Sequence, residues 1–138
     1  MIAVDTNLLI YAHRAALPEH RDAQRALEQA SRDTEGWGIP APCIAEFWAV
    51  VTHPKCVGGP SPARSARSFI AALARDGGAK LWVPGEGFGM RLSQLAQDLG
   101  VQGVRIFDLQ IALSAFDNGA TEIWTHDRHF NTCPGCAS

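Results

Sequence analysis

The chain opens Met1-Ile2-Ala3-Val4-Asp5-Thr6-Asn7, an apolar run that leads straight into an acid, a hydroxyl and an amide. No polar residue interrupts Met1 to Val4, so the run reads as the start of a fully buried strand rather than an alternating, half-exposed one. Asp5 stands where that strand ends. In parallel α/β sheets, ligands and chemistry gather at the carboxyl ends of strands, which makes an acid delivered there a candidate site residue. Asp, Thr and Asn also favour helix N-caps, so the same segment reads equally well as a cap for the helix that follows. The choice turns on whether other acids converge on Asp5.

Moving outward, Leu8 to Tyr11 reads as a short helix. Pro18 opens a second, with Ala23, Ala26, Leu27 and Ala30 on one stripe. Trp37 to Pro40 fits a short strand, and Pro42 to Thr52 a strongly apolar helix whose single charge is Glu46. Ser61 and Pro62 supply an N-cap and a first-turn proline for a helix with Ala66, Phe69, Ile70 and Leu73 inward. Leu81 to Val83 is a strand. Gly87 to Leu99 is an amphipathic helix (Met90, Leu92, Leu95, Ala96, Leu99) closed by Gly100. Arg105 to Asn118 is a helix with Asp108 on the same face as Ile111, Ala112 and Ala115, and Glu122 to Thr125 is a strand leading to Asp127. This alternation predicts an α/β fold: one domain over residues 1–138, a mainly parallel sheet of four to five strands, and helices on both sides. The segment from Asn131 to Ser138 has little strand character, so a fifth strand is expected to be short or missing.

The totals exclude more than they identify. A chain of 138 residues is one domain by length, and 46% hydrophobic with 19% charged residues is ordinary for a globular protein. A net charge of −2 carries no basic footprint, although a site that gathers cations can still approach phosphate. Arg outnumbers Lys by 10 to 2, which a compositional bias explains as well as phosphate binding does. No apolar run is long enough to span a membrane and no charged-then-apolar leader is seen, so the expectation is a soluble, cytoplasmic protein. Cys43 reads as a small buried residue. Cys133 and Cys136 form a CxxC with no second close pair to complete a zinc site.

Two strands thus end in an acid with a hydroxyl beside it, Asp5 with Thr6 and Asp127 with Thr125, and two helices each carry an acid on an apolar stripe, Glu46 and Asp108. An acid on such a stripe is costly to bury without a partner, while a partly exposed Glu46 on a helix edge remains the plainer alternative. If the two strands are neighbours, all four carboxylates meet above the sheet edge and raise each other's pKa values. Cations relieve that repulsion, and an oxygen-only ligand set selects Mg²⁺ or Mn²⁺ rather than zinc. Carboxylate-held Mg²⁺ suits phosphodiester hydrolysis.

Asp5-Thr6-Asn7, the lone Glu46, Asp108 with Ile111-Ala112, and Thr125-x-Asp127-x-x-Phe130 together resemble the PIN-domain pattern, and the length and element order resemble the VapC-type toxins of bacterial toxin–antitoxin pairs. The resemblance covers nearly the whole chain. It implies a Rossmann-like three-layer α/β/α fold and a Mg²⁺-dependent endoribonuclease, the toxin of a type II system. It also implies a cognate antitoxin that occupies the site, homodimerisation, and an RNA substrate, with tRNA as one candidate. By carry-over, Asp5, Glu46, Asp108 and Asp127 match the acidic metal ligands, and Thr6, Asn7 and Thr125 match the polar residues that orient ligands or water. Arg105-Ile106-Phe107 before Asp108 departs from the usual small or polar lead-in. Alternatives are a PIN nuclease of RNA processing that is not a toxin, and a non-catalytic PIN-like module that binds RNA or protein.

Around the expected mouth, Arg14, Arg105, His126, Arg128 and His129 are candidates for holding RNA phosphates, with ordinary solvated surface as the alternative. Trp48 and Trp124 read as core, and Tyr11 is open to either role. A haloacid-dehalogenase-like phosphatase would need an acid at Asn7 and a late lysine, yet no lysine follows Lys80. A receiver domain fails on the same lysine.

Overall fold

The computed structural model describes residues 1–126. Four strands, β1 (Ile2–Val4), β2 (Trp37–Pro40), β3 (Lys80–Trp82) and β4 (Glu122–Trp124), form one sheet in the order β3-β2-β1-β4. All three pairings are parallel. Parallel neighbours need crossover connections, and six helices supply them: α1 (Thr6–His13), α2 (His20–Ser31), α3 (Ala41–Val51), α4 (Ala63–Arg75), α5 (Phe88–Leu99) and α6 (Arg105–Asp117). The result is a three-layer α/β/α arrangement, as the alternation predicts. Asp127, Arg128, His129, the CxxC and any fifth strand lie outside the described residues.

The strand order decides where chemistry can sit. The chain steps outward from β1 to β2 and β3, then crosses back to place β4 on the other side of β1. The order therefore reverses between β1 and β4, and in open parallel sheets such a switch point leaves a crevice beyond the carboxyl ends of the strands. Register aligns Val4 with Trp124, so the two strands end side by side.

Burial explains why the opening run is apolar throughout. Ile2, Ala3 and Val4 are all buried, as a strand flanked on both sides and covered on both faces must be. Helix α2 buries Ala23, Leu27 and Ala30, the predicted stripe. Helix α3 buries Cys43, Phe47 and Val51. Trp48 belongs to its outer face and is 39% exposed, which corrects the expectation that it is core.

Two further expectations change. Ser61 does not cap α4; Pro62 holds the N-cap position without a side-chain bond. The Ser61 hydroxyl instead meets His13 Nε2 at 3.0 Å and accepts from Arg14 Nη1 at 3.1 Å. Helix α5 ends at Gly100 in the left-handed region (φ +63°), as predicted, but it contains no buried residue, and Met90 is 78% exposed. Phe88, Leu92, Leu95 and Ala96 are only partly buried, and a polar clasp adds to their packing. Arg91 donates through Nη1 and Nη2 to the two carboxylate oxygens of Asp117, both at 2.7 Å, and Gly85 N–H donates to Asp117 Oδ2 at 2.8 Å.

At Gly38, in β2, a Cβ would stand 2.5–2.7 Å from ring atoms of the buried Trp82 indole. Only glycine lets that ring lie on the strand. Gly38→Ala is expected to lower the unfolding free energy by about 1–3 kcal/mol, as overpacking of a filled core does. Urea denaturation checks this, and adding Trp82→Leu to the same chain should recover part of the loss.

Candidate active site at the β1–β4 edge

The candidate site begins with one carboxylate that serves two partners. Asp5 is the N-cap of α1, with extended backbone (φ −84°, ψ 163°), and its Oδ1 accepts from Thr6 N–H at 2.7 Å. Its Oδ2 accepts from the Thr125 hydroxyl, also at 2.7 Å, just past the end of β4. The backbone reinforces the link, since Asp5 N–H donates to the Trp124 carbonyl at 2.9 Å. Asp5 therefore caps α1, as one sequence reading has it, and it also stands at the switch point with Thr125 beside it. Asp5 is only 4% exposed. A third neighbour lies beneath it, the buried Cys43 thiol, 4.0 Å from Oδ1. Burial and the negative charge of Asp5 push the Cys43 thiol well above its ordinary pKa, so it stays an S–H that points its weak dipole at the acid.

Glu46 reaches the site from α3. Its Oε2 accepts from the Thr6 hydroxyl at 3.2 Å, so Thr6 joins Asp5, through its N–H, to Glu46, through its side chain. The Glu46 side chain is half-buried, and this burial is the largest cause of its raised pKa. The Thr6 bond opposes the rise, while the charges of Asp5 and Asp108 add to it. Asp108 occupies the first turn of α6, where a negative charge meets the positive end of the helix dipole. Leu109, Ile111 and Ala112 fix that turn in the core.

The structure thus brings together Asp5, Thr6, Glu46, Asp108 and Thr125. Asn7 shares the first turn of α1. Asp127 lies outside the described residues. Among the described residues, no three His, Cys, Asp or Glu side chains are close enough to form a ready metal cage. The donors nonetheless fit a hard cation in kind: they are carboxylate and hydroxyl oxygens, and their mutual repulsion is what an ion would relieve.

The basic residues divide differently from expectation. Arg14 is turned away from the site: its Nη2 donates to the Val57 and Gly59 carbonyls and its Nη1 to Ser61, so it staples the loop before α4. Arg105 is exposed at the start of α6. His126 is exposed and packs edge-on against Tyr11. Sequence reasoning left Tyr11 open and missed Cys43 as a neighbour of the acid. Cys43 lies three residues before Glu46, a spacing that puts both on one helix face and was the available signal.

Residues 2–134 match the family profile of the PIN domain. The chain is 38% identical over 130 residues to VapC ribonuclease Mb2897 of Mycobacterium bovis, covering 94% of this chain and 88% of that one. It is equally similar to ribonuclease VapC43 of Mycobacterium tuberculosis. Among solved structures, the fold is similar to VapC20 of Mycobacterium tuberculosis, a toxin that cleaves the sarcin-ricin loop (TM-score 0.70, 13% identity, 94% of this chain and 92% of that one). It is also similar to VapBC2 of Rickettsia felis, solved with a DNA fragment from its promoter (TM-score 0.65, 19% identity, 99% and 96% coverage).

Because the folded-state pKa of Glu46 lies above its ordinary value of 4.5, the native state holds a proton that the unfolded chain releases. Stability of the metal-free protein should therefore fall as pH rises above that value and through the raised one. Glu46→Gln is expected to flatten this fall and to raise the melting temperature at neutral pH. Thermal melts in chelator across that range check it. Asp5→Ala should cost about 1 kcal/mol through the lost cap, whereas Asp5→Asn keeps the cap and relieves repulsion, leaving stability unchanged or higher.

Proposed function

The chain belongs to the PIN-domain family, and we propose that it is an endoribonuclease that hydrolyses RNA phosphodiester bonds with Mg²⁺ or Mn²⁺, as the toxin of a type II toxin–antitoxin pair. The observation that carries this reading is the meeting of three acids from separate elements at the switch point of the sheet: Asp5 from the end of β1, Glu46 from α3 and Asp108 from α6, where burial raises the Glu46 pKa and the nearby charges of Asp5 and Asp108 add to the rise. The identity to VapC ribonucleases supports the activity.

Asp5, Glu46 and Asp108 would hold the ion, and Asp127, two residues after Thr125 in the sequence, would be the fourth acid. Mg²⁺ keeps several waters and takes few protein carboxylates, which suits an open set of oxygens better than a closed cage. When bound, such an ion lowers the pKa of the attacking water and stabilises charge on the phosphate and the leaving oxygen. The chain's own groups do the positioning. The Thr125 hydroxyl holds Asp5 Oδ2 in place, the Thr6 hydroxyl holds Glu46, and Asn7 lies in the same turn to orient water or phosphate. No catalytic histidine is required.

An antitoxin partner is supported by the VapBC2 likeness and by a groove of about 570 Å³ whose apolar walls (Ile10, Leu17, Ala49, Val50, Val57) are joined by Arg14, His53, Lys55 and Cys56, the kind of surface a partner protein covers. The reading includes a homodimer, as the VapC resemblance implies. Among the described residues no helix is long and apolar enough to cross a membrane, which agrees with a cytoplasmic toxin.

Purified protein incubated with mixed total RNA and tRNA should yield discrete fragments with Mg²⁺ or Mn²⁺ and none in chelator. Asp5→Asn and Asp108→Asn should each lower cleavage more than about 100-fold, beyond the loss from removing an outer partner of a metal ligand. Their circular dichroism should match the parent. Mapped fragment ends identify the substrate; cleavage that persists in both variants would sink the assignment.

A further inference from the structure

We infer that Tyr11 and His126 form an aromatic lip that stacks a base of single-stranded RNA beside the acids, a recognition role that rests on the nuclease reading above. Two elements carry the pair out of the site. Asn7 is in the first turn of α1, and Tyr11 follows four residues later on the same face. On the other side, Thr125 bonds Asp5 Oδ2, and His126 is the next residue. The two rings meet with centroids 5.5 Å apart and planes at 81°, the edge-to-face geometry that aromatic pairs favour.

The pair is not simply core. Tyr11 rests its ring against the core but is only half-buried, and its hydroxyl has no hydrogen-bond partner among the described residues. His126 is exposed. The carbonyl of Tyr11 meets His20 Nδ1 at 2.8 Å, which fixes the backbone that presents the ring. One turn further along α1, Arg14 is committed to the Val57 and Gly59 carbonyls, so among the described residues this side of the site offers rings rather than a free guanidinium. Unpaired bases are recognised by stacking on such rings, whereas bases in a duplex are already stacked. The lip therefore selects an unpaired nucleotide next to the scissile phosphate and leaves base identity to other contacts.

The test uses a single-stranded RNA oligonucleotide carrying a purine analogue whose fluorescence is quenched by stacking. It is bound to the Asp108→Asn protein in Mg²⁺, where the strand stays intact. Binding should quench the analogue. Tyr11→Leu and His126→Ala, each added to that background, should weaken binding about five- to a hundredfold and abolish the quench, while Tyr11→Phe keeps both. In the cleaving protein, Tyr11→Leu and His126→Ala should raise KM and leave kcat within about threefold. Unchanged binding and quench in both, a fall in kcat at constant KM, or a parent protein that does not bind the single strand overturns the lip. If Tyr11→Leu unfolds, the exposed His126→Ala decides alone. Asp5-dependent cleavage by the parent is read on the same preparation. Its presence with unaltered lip variants refutes only the lip, and its absence refutes the nuclease reading itself.

Discussion

Everything at the candidate site depends on the way Asp5 divides its two oxygens. One receives the first N–H of α1 and the other the hydroxyl that follows β4. Strand β1, helix α1 and strand β4 are thereby joined at one carboxyl group, and the Asp5 N–H to Trp124 carbonyl bond sets the height at which they join. Charge-assisted bonds of this kind are shorter and stronger than neutral ones, so the acid is held in one orientation before any ligand arrives. Glu46 is attached to the same group at one remove, through the hydroxyl of Thr6. A site assembled in this way is rigid where it is most charged.

That rigidity has an electrostatic consequence. Burial of the Glu46 carboxyl, and then the charges of Asp5 and Asp108 beside it, hold its pKa above the ordinary value and oppose folding. The opposing stabilisation comes from the strands beneath, where Ile2, Ala3, Val4 and Ile123 are buried, and from the alignment of β1 with β4. Functional sites commonly sit in such a conflict, with local repulsion held by a well-packed scaffold.

Much of this was legible in the sequence, for physical reasons that differ by element. The run from Met1 to Val4 could only be a doubly covered strand, and Trp37 to Pro40 was delimited by its flanking polar and proline residues. Glu46 and Asp108 stood out because each is an acid on an apolar stripe. The parts that were not legible are those decided by distant residues. Ser61 looks like a helix cap locally, but His13 and Arg14, nearly fifty residues earlier, take its hydroxyl. Arg14 was open between a phosphate contact and plain solvated surface until its loop partners were placed. The indole of Trp48 read as core because periodicity reports which face is apolar, not whether anything covers it, and for the same reason the amphipathic pattern of α5 did not reveal that its face is only partly covered. Asp5 appeared to pose a choice between cap and sheet-edge acid, yet a carboxylate has two oxygens: one caps α1 and the other accepts from Thr125 beyond β4.

The clasp that fastens α5 gives this domain an uneven distribution of local stability. A helix with no buried residue, tied by Arg91 and Gly85 to the single carboxylate of Asp117, contributes little apolar burial of its own. Such a segment opens by itself far more cheaply than the sheet does. Amide protons of α5 should therefore exchange with solvent through local excursions, while those of β1 exchange only when the whole domain unfolds. The clasp ends on Asp117 of α6, the helix whose first turn carries Asp108, so the chain between β3 and α6 meets the acid-bearing helix at its far end.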